Sequence, residues 1–234
     1  MRKEKLYIQN IPAIVWGEKS DKVFLAVHGN MSHKEDAVIQ LLAEEAEFEG
    51  YQVLSFDLPE HGERAGTDTL CKVDICVSEL KVMMSFAKEH WKKISLFSCS
   101  MGAYFSILAY SKEELQLALF LSPVVDMERV IHNMMSAFGV TIEQLEQEET
   151  INTPIGQKLY WDYFCYVKEH PIKKWNTKTS ILYGKKDELS EWDRVKSFSE
   201  RYQCKLRTLE NGEHYFHTEE QLTVFKEWLK ENIK

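Results

Sequence analysis

Apolar residues in this chain gather in short compact runs, separated by stretches in which they recur every third or fourth position. The runs at 23–27, 52–56, 94–97, 116–121 and 179–183 are bounded by turn residues, as expected of buried strands. Shorter runs at 5–9 and 13–16 flank the turn Asn10-Ile11-Pro12, and 204–208 adds an eighth strand. Between the runs lie amphipathic stretches. Residues 34–49 place Val38, Leu41, Leu42 and Ala46 on one helical face, and Gly50 is a stop signal. Further helices are predicted at 74–91, 103–111 and 219–234, the last with Leu222, Phe225 and Leu229 on one face. Strands that alternate with helices predict an α/β fold. Its mostly parallel sheet of about eight strands is covered by helices on both faces, with right-handed crossovers. In such sheets ligands bind beyond the carboxyl ends of the strands.

One connection breaks the rhythm. Residues 126–178, between the sixth and seventh predicted strands, are too many for a crossover helix. They hold Met127, Met134, Met135 and Phe138, then an aromatic cluster over 160–166. The chain therefore divides into a core, 1–125 with 179–234, and an insert, 126–178.

Composition narrows the function classes. Of 234 residues 44% are hydrophobic, enough for a sizeable core, and the formal net charge of −8 disfavours a nucleic-acid groove. The first residues are charged and lead into no apolar signal core. The longest apolar run, near 117–121, is far too short to span a bilayer. These features predict a soluble, cytoplasmic protein. The five cysteines are odd in number and irregularly spaced, so Cys71 and Cys76 have no second close pair with which to build a zinc site. They read as reduced thiols. No metal site and no cofactor loop is expected; Asp57 is not preceded by G-x-G-x-x-G.

The candidate chemistry lies at the strand ends. Ser98-Cys99-Ser100-Met101-Gly102-Ala103 joins a predicted strand to a predicted helix, the layout of a nucleophile elbow. In that layout the exposed side chain is Ser100 rather than Cys99. Other strand ends carry His28-Gly29-Asn30-Met31, Asp57-Leu58-Pro59-Glu60-His61-Gly62, Asp187 and His214. With this set the chain resembles the α/β-hydrolases over nearly its whole length, with serine, acid and histidine in that family's order. His28-Gly29 resembles the family's oxyanion turn, and 56–62 its Asp-x-Pro-x-His-Gly segment. Ser98 departs from the usual glycine, where only a small side chain is required.

The resemblance implies Ser100 as nucleophile, His214 as base and then acid, and Asp187 as the orienting acid. His217 competes with His214, and Glu188 and Asp193 compete with Asp187. A serine hydroxyl needs a base within hydrogen-bond reach, and that base needs a carboxylate to fix its tautomer. The backbone N–H groups of Asn30 and Met101 would meet the developing oxyanion. The insert stands where the family usually carries a cap, here expected to be small and mostly helical. Trp161, Tyr163, Phe164 and Met135 would line its pocket. The activity implied is hydrolysis of a small-molecule carboxylic ester, its acyl group small to medium or aromatic. The alternatives are a thioesterase or amidase on the same residues, or a ligand-binding member without catalysis.

Overall fold

The computed structural model describes residues 1–233. Lys234, the last residue of the predicted closing helix, lies outside them. The N-terminal hairpin pairs β1 (Lys3–Ile8) with β2 (Ile11–Trp16). Then follow β3 (Lys22–Val27), α1 (Ala37–Phe48), β4 (Gln52–Phe56), α2 (Val73–His90), β5 (Lys93–Cys99), α3 (Met101–Tyr110) and β6 (Ala118–Leu121). The insert folds as α4 (Met127–Ala137), α5 (Ile142–Glu148), β7 (Thr150–Asn152), β8 (Lys158–Tyr160) and α6 (Trp161–Glu169). The chain closes with β9 (Thr179–Gly184), α7 (Trp192–Arg201), β10 (Lys205–Leu209) and α8 (Glu219–Asn232).

Eight strands form one sheet in the order β1-β2-β4-β3-β5-β6-β9-β10. The pairings β1/β2 and β2/β4 are antiparallel, and all others in this sheet are parallel. Side-chain alternation divides the core. Val23, Leu25 and Val27 of β3 point into one apolar layer with α2 and α3, while Phe24 and Ala26 point into the layer under α1 and α8. The same alternation separates Phe120 from Leu119 and Leu121, and Ile181 from Leu182. Because both faces are covered, the central strands are buried throughout.

Two differences from the sequence expectations have local causes. The first long helix starts at Ala37 rather than at 34, capped by the Asp36 carboxylate, which accepts from the Ala37 N–H. Lys34 is held away from the helix by Asp57, which accepts its backbone N–H at 2.9 Å. Helix α7 was not expected: its stretch is mostly charged, and only Val195, Phe198 and Ser199 turn inward. Within the mostly helical insert, β7 and β8 form a hairpin. Thr153 closes its turn by donating its N–H to the Gln157 carbonyl, and Gly156 adopts φ +82°. Among the described residues no helix is long and apolar enough to cross a membrane.

Candidate active site

Ser100 occupies the sharp turn between β5 and α3 with φ 50° and ψ −126°, a backbone conformation that side-chain-bearing residues rarely adopt. Close packing enforces the turn. A Cβ on Gly102 would come within 2.4 Å of the His28 carbonyl oxygen, and one on Gly29 within 2.9 Å of the Ser100 Cβ. At the family's usual glycine position, Ser98 is fully buried, and its hydroxyl bonds the Ser106 hydroxyl on α3 at 2.9 Å. The small side chain suffices there because its polar atom is satisfied.

The structure brings Ser100, His214 and Asp187 together across 114 residues of chain. His214 Nε2 lies 2.8 Å from Ser100 Oγ, and His214 Nδ1 lies 2.7 Å from Asp187 Oδ2. Asp187 follows β9, and its side chain is fully buried. Its other oxygen, Oδ1, accepts the N–H groups of Leu189 and Ser190 at 2.9 and 2.8 Å. These bonds leave Oδ2 aimed at the imidazole. His217 sits elsewhere, its Nδ1 2.8 Å from the Tyr215 carbonyl, and Glu188 and Asp193 are exposed. Cys99 is half-buried, and burial of its thiol pushes its pKa up.

The turn after β3 approaches the serine from the opposite side. Met101 is the first residue of α3, so its N–H has no partner within the helix. Both Met101 and Asn30 border a cavity of about 450 Å³. The turn is braced from below. His28 Nδ1 lies 2.7 Å from the Gly29 carbonyl, and His28 Nε2 accepts the Leu58 N–H at 3.0 Å. Burial lowers the His28 pKa to about 4. Asp57 is also buried. Burial opposes its charge, but the Lys34 ammonium and the N–H groups of Lys34 and Glu63 outweigh it and hold the carboxyl below its usual range. Gly62, at φ +54°, is required beside it, since a Cβ there would fall 2.3 Å from the carboxylate. The segment 57–62 thus supports the turn.

The cavity lies between this turn and the insert. Helix α4 presents Met127, Val130, Ile131 and Met134 to it, a spacing of three and four. Met135, one residue further around the helix, is buried in the core instead. On α6, Tyr163 borders the cavity, whereas Phe164 turns into the core against His132. Trp161 packs on Phe164 with ring centroids 5.7 Å apart and also stays outside. Of the four expected pocket residues, Tyr163 alone lines the cavity. The hairpin, Ile155 to Tyr160, supplies the rest of that wall. The Pro154-Ile155-Gly156 turn signal marks this hairpin in the sequence, although its three-residue strands are too short to show periodicity.

Known structures share this arrangement of elements. Est1E from Butyrivibrio proteoclasticus, solved with ferulic acid bound, superposes with a TM-score of 0.78 at 19% identity, covering 97% of this chain and 96% of its own. The mouse α/β hydrolase domain-containing protein 10 gives 0.78 at 14% identity, with 99% and 98% covered. An esterase from Pyrococcus furiosus gives 0.68 at 21% identity, with 98% and 88% covered. The chain has the α/β-hydrolase fold. No family model and no curated protein sequence matches it. Ser100 lies in the sharp turn after β5, Asp187 in the turn after β9 and His214 in the turn after β10.

Proposed function

We propose that this chain is a serine hydrolase that cleaves a carboxylic ester through an acyl-enzyme. One observation carries the reading: the hydrogen-bonded series Asp187–His214–Ser100, with the serine on a strained turn next to Met101, which borders the cavity. His214 Nε2 takes the Ser100 proton as Oγ attacks the ester carbonyl. Asp187 holds Nδ1–H and stabilises the imidazolium. The N–H groups of Asn30 and Met101 receive the oxyanion. The intermediate collapses, the alcohol leaves with the proton from His214, and water repeats the sequence to release the acid.

In this reading residues 126–178 act as a cap over the acyl site. The methionine- and tyrosine-rich wall suits a small-to-medium or aromatic acyl group. The ferulic acid in Est1E, an aromatic acid on the same fold, supports the aromatic option. Labelling with a fluorophosphonate probe tests the mechanism. The native protein is expected to label, and Ser100→Ala is not. Labelling that persists in Ser100→Ala, or none in the native protein, overturns it. A panel of p-nitrophenyl, aryl and thioester substrates tests the acyl preference; preference for a long-chain acyl ester would contradict it.

A further inference from the structure

We propose that Cys71 and Cys76 are a peroxide-oxidised thiol pair, a modification site in the cavity wall that closes to a reversible disulfide. Cys71 immediately precedes Lys72, the N-cap of α2, and Cys76 is the fourth residue of that helix. These two positions are held in side-chain contact at the start of a helix. Here the sulfurs lie 3.7 Å apart. Bond formation closes about 1.7 Å of that gap to the normal S–S length. The segment preceding α2 that carries Cys71 belongs to neither helix nor strand.

The two thiols have unlike surroundings, which assigns their roles. Cys76 is fully buried. Cys71 is half-buried and borders the cavity, where a small oxidant reaches it. The Cys76 thiol donates toward Cys71, and the imidazole of His61 stands beside it. These contacts, against the opposing effects of burial and the Glu60 carboxylate, lower the Cys71 pKa to about 6. The positive end of α2 acts in the same direction. Burial, followed by the Cys71 sulfur and Glu79, pushes the Cys76 thiol well above its ordinary value, with Arg64 only partly opposing. Tyr163 faces the pair from α6 as a neutral phenol, its pKa raised by burial.

The chemistry balances with hydrogen peroxide as oxidant. The Cys71 thiolate attacks one peroxide oxygen, the O–O bond breaks, and hydroxide leaves as water with a proton from His61. Cys71 is then a sulfenic acid. The Cys76 sulfur attacks it, the S–O bond breaks, and the leaving hydroxide takes the Cys76 proton. Two thiols are oxidised and one peroxide is reduced to two waters.

The test is peptide mapping of the intact protein after brief peroxide treatment and alkylation. The expected result is a loss of 2 Da confined to a Cys71–Cys76 cross-link and restored by dithiothreitol. In Cys76→Ser, dimedone is expected to trap a sulfenic acid at Cys71. Without any substitution, iodoacetamide should alkylate Cys71 with half-maximal rate near pH 6, and His61→Gln should move that midpoint upward. A disulfide mapped to other cysteines, or Cys71 alkylation with a midpoint of about 8.5 as for a free thiol, overturns the proposal. Ser100→Ala should give the same map, so the result stands or falls separately from the hydrolase reading.

Discussion

At the scale of single residues, the support beneath the site is as specific as the site itself. His28 satisfies both ring nitrogens only when neutral: one donates to Gly29, and the other accepts from Leu58. A second proton would face an N–H. Its pKa therefore falls from 6.5 to about 4 on folding. The unfolded chain takes up a proton below about pH 6.5 and the folded one does not. Stability is then full above that pH and is lost as pH falls toward about 4, by about 3 kcal/mol for a shift of this size. Urea unfolding at a series of pH values should show this loss, and His28→Gln should lack it. His61 does not mask the effect. Burial lowers its pKa, but the Cys71 sulfur and the Pro59 carbonyl outweigh burial and raise it, so its contribution is full below 6.5 and fades at higher pH. A second test at this scale is Asp187→Asn. The geometry survives the swap but the imidazole loses its fixed tautomer, so kcat should fall about 10⁴-fold with the melting temperature little changed. A drop of only a few fold would remove Asp187 from the mechanism.

Between elements, close approach decides what is tolerated. Gly102 lets the first turn of α3 sit against the end of β3, and alanine there meets backbone rather than a movable side chain. Gly102→Ala should therefore displace the elbow from the Asn30 turn and abolish fluorophosphonate labelling, even where circular dichroism reports a folded protein. The eight-stranded sheet was legible from the spacing of apolar runs, because central strands buried on both faces leave unbroken hydrophobic stretches. The turns at Ser100 and Asp187 were legible for the same reason, each following such a run, whereas His214 comes five residues after the half-buried edge strand β10. Side-chain direction inside the insert was not legible. A step of one residue around a helix separates Met134 from Met135 and Tyr163 from Phe164, and composition does not reveal which one meets the cavity. Kinetics across an ester series should follow that division. Tyr163→Ala is expected to shift selectivity between aromatic and acetyl esters by about 10-fold, and Trp161→Ala to leave it unchanged. An equal effect from both would contradict the cavity wall described here.

For the whole molecule, the insert is not energetically separate. Ile131, Leu145, Leu159 and Phe164 join the same apolar layer as Val23, Leu96 and Phe120 of the central strands. Unfolding should therefore be concerted. Tryptophan fluorescence samples both layers, through Trp16 and Trp228 on one face and Trp91 and Trp175 on the other. Its urea transition should coincide with that of far-ultraviolet circular dichroism, and an early fluorescence phase from the insert would contradict this. The left-handed backbone at residue 100 has a consequence of another kind. Glycine adopts that conformation freely and alanine does not. Ser100→Gly should therefore melt at higher temperature than Ser100→Ala, by an amount equivalent to about 1–3 kcal/mol. Both variants lack the hydroxyl, so their difference isolates backbone strain. On the proposed function, the hydroxyl is kept at residue 100 against a backbone conformation that glycine would adopt without strain.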